Sequence, residues 1–168
     1  MRRLFAYGTA WVAFALLWAG TALPAFLYDS LWEAWQSPCF RFYSGLCHQI
    51  PDRSFWIGPI PLAVCHRCTG VLGGLLMGSL LAPLAEAHQA ILRRHGPAWI
   101  TLALLLMGLD WLWGWWQGGT VPSRLLTGLL LGILSGLYST LGWVALGGAT
   151  RNSNPTEEAC SWKHVRKR

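Results

Sequence analysis

Four cysteines, Cys39, Cys47, Cys65 and Cys68, fall within one 30-residue stretch that also holds His48 and His66. Thiolate sulfur and imidazole nitrogen are the donors that zinc and iron take up, and thiols can also exchange electrons as disulfides. Cys65-His66-Arg67-Cys68 is a C-x-x-C immediately before a long apolar segment. A helix starting there points its positive end at the sulfurs, and with Arg67 this favours thiolate over thiol. A disulfide closing so short a loop is strained and reactive, while a stabilising disulfide is the alternative in an oxidising compartment. Cys47 and His48 lie upstream, with 17 residues between Cys47 and Cys65. Cys47, Cys65 and Cys68 would supply three thiolates and His48 a fourth donor, a Cys₃His set for zinc or iron. His66 would point away from the Cys65/Cys68 face of a helix. Cys39 could pair with Cys47, and Cys160 stands alone near the C-terminus.

The surrounding chain must place these residues at a membrane. Of the 168 residues 54% are hydrophobic and only 12% charged, which excludes an ordinary soluble domain. Four windows, Leu4–Tyr28, Thr69–Ala87, Pro97–Gln117 and Leu125–Gly148, are long enough to cross a hydrocarbon core of about 20 residues' span. Backbone in lipid must satisfy its own hydrogen bonds, so they read as helices. The expectation is an all-α, four-transmembrane-helix bundle over residues 1–150, with a basic cytoplasmic tail over 151–168. Nine basic residues (Arg2, Arg3, Arg93, Arg94, Arg151, Lys163, Arg166, Lys167, Arg168) fall on one side of this arrangement and four (Arg41, Arg53, Arg67, Arg124) on the other. By the positive-inside rule both termini are cytoplasmic, and an irregular cysteine-rich loop, Asp29–Leu62, faces outward from the cytoplasmic (inner) membrane. The first window reads as an uncleaved anchor, being longer than a signal-peptide core and lacking a clean A-x-A site. The +6 net charge owes much to the tail, which suits anionic lipid as partner and not nucleic acid.

Within that loop, Leu31, Trp32 and Trp35 beside Glu33 suggest a short interfacial helix, and Gly58-Pro59-Ile60-Pro61 is turn chemistry that returns the chain to the membrane. Gly70, Gly74 and Gly78 form a small-residue stripe on the second span, and Gly128, Gly132 and Gly136 form one on the fourth. Their matched depth predicts parallel packing of these two helices; homodimerisation is the competing use. Asp110 lies inside the third span, about 10 Å below the outer surface at 1.5 Å per residue, where a carboxylate is costly. Arg67 and Arg124 are the basic groups expected at its level. Trp111, Trp113, Trp115 and Trp116 around it suit interfacial anchoring or a flat apolar ligand such as a quinone.

Cys47-His-Gln, Pro51-x-Arg-Ser-Phe55, Cys65-x-Arg-Cys-Thr-Gly70, Asp110 and Arg124-Leu-Leu-Thr-Gly128 together resemble a family of small prokaryotic membrane proteins catalogued as a domain of unknown function. The resemblance spans roughly residues 40–135. It implies a shared set of Cys47, His48, Arg53, Cys65, Arg67, Cys68, Asp110 and Arg124, and it supplies no activity. Three functions compete. The first is a metal site at the outer face, supported by Arg67, Asp110 and Arg124. The second is quinone-linked thiol oxidation, because four spans with external cysteine pairs look like the disulfide-bond oxidases of the bacterial inner membrane. In that reading Cys65 and Cys68 are catalytic and Cys39–Cys47 exchanges with a soluble thiol partner. The third is a structural or assembly subunit of a membrane complex.

Overall fold

Four long helices carry the fold in the computed structural model, which describes residues 2–149. They are α1 (Arg2–Gly20), α5 (His66–Ala85), α6 (Gln89–Gln117) and α7 (Val121–Ala149). Three of them supply stretches long and apolar enough to cross a membrane: His66–His88, Arg94–Gln117 and Val121–Leu146. The expected first span, Leu4–Tyr28, is not one continuous helix. It breaks at Thr21 and Ala22 and resumes as the five-residue α2 (Leu23–Leu27), with Pro24 near its start. Proline lacks the N–H that would continue the helix and is best accommodated in a first turn, where Pro24 stands in α2. The 19 residues of α1 still pack against both α5 and α7. The tail from Arg151, with Cys160, lies outside the described residues.

The segment expected to be irregular holds regular structure. Helix α3 (Leu31–Gln36) is capped by Ser30, whose hydroxyl accepts the Glu33 N–H at 3.3 Å. Helix α4 (Pro38–Ser44) is capped by Ser37 through the Phe40 N–H, with Pro38 in the first position where its missing donor costs nothing. After a 3₁₀ turn at Pro51–Arg53, strands β1 (Ser54–Ile57) and β2 (Ile60–Cys65) form an antiparallel hairpin. Its register pairs Ser54 with Cys65 and Ile57 with Ile60, with an irregularity between Ser54 and Trp56. Gly58 makes the turn at φ 60°, a backbone that a side chain resists. Pairing Ser54 with Cys65 brings the end of β2 to the start of α5.

Two clusters hold the molecule together. Ala34, Phe40, Tyr43, Cys47, Ile60, Ala63 and Val64 form a core under the hairpin, against which Cys65, Cys68 and Leu72 pack. The Tyr43 hydroxyl donates to the Leu17 carbonyl, and Ala63 N–H donates to Thr21 O at 3.0 Å, tying this small cap to the end of α1. At the opposite end of α5, Tyr7, Ala82, Leu137 and Leu141 form the second core. The Tyr7 hydroxyl and Arg3 both reach Glu86 there, at 3.0 and 2.7 Å.

Helices α5 and α7 are parallel neighbours through their glycines, as the stripes predict. A Cβ on Gly74 would stand 2.8 Å from the Gly132 Cα, and one on Gly132 would stand 2.9 Å from the Gly74 Cα. Real side chains do not pack that closely, so hydrogen is the only substituent this crossing admits. The pairing occupies both stripes within one chain, on the surfaces a glycine-mediated homodimer would use.

Candidate metal centre

Three segments meet at the start of α5. Cys47 follows α4, Cys65 ends β2 and is the N-cap of α5, and Cys68 lies in the first turn of α5. Their sulfurs all lie within 4.8 Å of one another, and all four cysteines among the described residues are free thiols. Cys47 is buried, while Cys65 and Cys68 are partly exposed. The sulfur of Cys47 accepts two backbone N–H groups, from Cys65 at 3.3 Å and from Gln49 at 3.5 Å. Such donors stabilise charge on sulfur and fix its direction. Contact with the Cys47 and Cys68 side chains, and the backbone N–H groups of Cys68 and Arg67, hold the Cys65 thiol far below its ordinary range; burial opposes this and loses. Three sulfurs this close to one another are a metal-type donor set.

Gln49 makes this geometry possible. Its own N–H donates to the Cys47 sulfur, and its left-handed φ of 51° turns the chain that follows. Its side-chain amide donates to Phe40 O at 2.8 Å and to Ala63 O at 3.0 Å, stapling α4 to β2. Sequence reasoning passed over Gln49 as a site residue. Its place directly after Cys47-His48 was the one signal available, because the carbonyls it serves belong to distant segments.

The remaining expected residues divide. His48 is exposed and is not among the donors that lie within 4.8 Å of one another, but it lines the same cavity of about 320 Å³ as the triad. Cys39 lies in α4, outside the cluster, and Cys47 is drawn to Cys65 and Cys68 instead. No disulfide joins Cys39 to Cys47 or Cys65 to Cys68 among the described residues. His66 is buried at 6% exposure, edge-on to Phe55 with ring centroids 4.4 Å apart, and its Nδ1 has no partner among the described residues. Arg67 forms a salt bridge with Asp110, whose carboxylate also lies 3.4 Å from the Thr127 hydroxyl. Asp110 on α6 is thus joined to α5 and to α7. Arg124, the other arginine expected near Asp110, instead lies against Gly114 and Gly119, where it lines the cavity beside the triad. Trp111 lines that cavity too, whereas Trp113 and Trp116 are strongly exposed on α6.

Residues 47–138 match the family described as "Predicted membrane protein (DUF2085)", which is more than half of the chain. The uncharacterized protein MJ1492 of Methanocaldococcus jannaschii is similar, at 34% identity over 91 residues, or 52% of this chain. The match spans 58% of that relative's own length. No solved structure matches. The chain belongs to this predicted membrane protein family, and the matched region begins at Cys47, so it takes in the triad, Arg53, Arg67, Asp110 and Arg124 but not Cys39.

Proposed function

We propose that this membrane protein holds a zinc or iron ion at the extracytoplasmic face of the cytoplasmic membrane, with Cys47, Cys65 and Cys68 as thiolate ligands. One observation carries the reading: three sulfurs from three chain segments lie within 4.8 Å of one another, and one of them accepts two backbone N–H groups. Metal–sulfur bonds near 2.3 Å need such an approach. A helix cap, a strand end and the backbone N–H of Gln49 converge there. Three protein ligands leave one tetrahedral position, and the triad opens onto a cavity whose wall carries His48. His48 or an exogenous molecule would fill that position. A three-ligand site with an exchangeable fourth is the pattern of centres that bind or activate a ligand. Arg124 lines the same cavity and would offset the excess negative charge of three thiolates on a divalent ion, beside Arg67, which Asp110 holds in place.

The test is elemental analysis of protein purified gently under reductant. Near-stoichiometric zinc or iron is expected, lost in Cys47→Ser, Cys65→Ser and Cys68→Ser and retained in Cys39→Ser. Wild-type protein free of both metals, with its thiols intact, would overturn the reading. A Cys65–Cys68 disulfide as the resident state, together with loss of function in Cys39→Ala, would return the thiol-relay alternative.

A further inference from the structure

Beside the thiol triad lies a half-open cleft of about 290 Å³ lined by Arg53, Arg67 and Arg124, with Trp111, Trp115 and Gly114 completing its wall. The three arginines come from the turn before β1, the first turn of α5 and the first turn of α7. Bringing three guanidinium groups to one cleft costs mutual repulsion, in a chain with only 12% charged residues. Their compensation is incomplete. Asp110 pairs with Arg67, while Arg53 and Arg124 have no carboxylate within ion-pair distance among the described residues. The Nε of Arg67 is buried without a partner.

The thiolates next door are the first alternative explanation. Three thiolates around a divalent ion leave a single negative charge, so against the two uncompensated guanidiniums one positive charge remains. Solvation is the second, and it suits Arg53, which is exposed. It does not suit the orphaned Nε of Arg67, nor Arg124, which is partly buried in a cradle of small residues. A Cβ at Gly119 would meet Arg124 Nε at 3.1 Å, so that glycine clears the room the guanidinium occupies.

We propose that this cleft binds a phosphate-type oxyanion, gripped by Arg53, Arg67 and Arg124 and flanked by Trp111 and Trp115. Guanidinium forks match the oxygen spacing of phosphate and bind it in pairs, which a set of lysines would not do. Asp110 has a positioning role, holding the Arg67 guanidinium at the wall of the cleft. The cleft lies where the starts of α5 and α7 meet the end of α6, one end of the membrane-crossing helices, so the phosphate belongs either to a lipid headgroup or to a solute. The proposal goes beyond the metal reading and does not require it.

Full-length protein is placed in phosphatidylcholine nanodiscs, treated with chelator, and titrated calorimetrically with inorganic phosphate in chloride buffer. In parallel, nanodiscs doped with phosphatidic acid are examined by native mass spectrometry for retained lipid. Saturable phosphate binding identifies a solute site, and selective retention of phosphatidic acid identifies a headgroup site; either supports the proposal. Arg124→Gln should weaken the binding at least tenfold and Arg53→Gln severalfold. Arg3→Gln, at the other end of α5, should leave it unchanged. Arg124→Lys keeps the charge and should recover only part of the affinity. Absence of both phosphate and phosphatidic acid binding would overturn the proposal, as would wild-type affinity in the exposed-site variant Arg53→Gln together with Arg124→Lys.

Discussion

Gln49 connects backbone conformation to site chemistry more directly than any other residue. Its left-handed φ of 51° is an unfavourable choice for a residue with a Cβ, sustained by two side-chain hydrogen bonds to buried segments. Gln49→Ala removes both bonds, at a cost of about 1–3 kcal/mol. Because the Gln49 side chain ties the segment after Cys47 to α4 and β2, the same change should weaken metal affinity by roughly 10–100-fold, the range for losing a supporting partner. Competition with a coloured chelator measures this directly. Unchanged affinity in a folded Gln49→Ala protein would show that the cysteines orient themselves. At this scale the sequence was legible where chemistry resides in residue type: Cys47, Cys65 and Cys68 converge as thiol donors should, and Asp110 finds a base because a carboxylate at its depth must. It was opaque where a role depends on distant carbonyls, as at Gln49, or on a backbone direction, which leaves His48 on the cavity wall and outside the triad.

Among the elements, the glycine stripes were readable because small-xxx-small spacing has one geometric consequence, a close helix crossing. Gly74→Leu or Gly132→Leu would drive a side chain into a crossing that has room for hydrogen only, with a penalty above the ~1–3 kcal/mol usual for overpacking. Gly108→Leu is the control, since a Cβ there meets nothing within 4 Å. Unfolding in detergent, followed by proteolysis, should separate the first two from the third; equal tolerance would refute the packing. The Arg67–Asp110 bridge joins α6 to α5 in the same region, with side chains only 21% and 8% exposed. Asp110→Ala orphans the arginine and should destabilise by about 3–5 kcal/mol, and the double change Arg67→Gln/Asp110→Ala should recover part of the loss. The hairpin was not readable. β2 (Ile-Pro-Leu-Ala-Val-Cys) is buried almost throughout, so it shows no alternation, and its proline argues against a strand. Pairing with a single neighbour, β1, is what makes a proline tolerable there.

For the whole molecule, hydropathy identified the membrane class but overstated the continuity of the first span. Leu4–Tyr28 is apolar enough to suggest one helix, whereas Thr21, Ala22 and Pro24 let the chain bend to join the cap that carries Cys47. That bend has a functional consequence, since Thr21 accepts the Ala63 N–H and so anchors the strand leading to Cys65. Orientation rests on charge alone: nine basic residues on the side of the termini against four on the side of the triad. The triad end of α5 should therefore face away from the cytoplasm and its Glu86 end toward it. Cys39 and Cys160 provide probes on opposite sides of that arrangement. In intact cells a membrane-impermeant maleimide should modify Cys39 in a protein whose other cysteines are changed to serine, because Cys39 is a partly exposed free thiol in the cap. A protein retaining only Cys160 should react after the membrane is permeabilised and not before. The reverse labelling would invert the topology and place the metal site in the reducing cytoplasm, where free thiolates need no protection from disulfide formation. Labelling as expected would place three reduced, clustered thiols in an oxidising space, where a bound ion is what keeps them from closing into a disulfide.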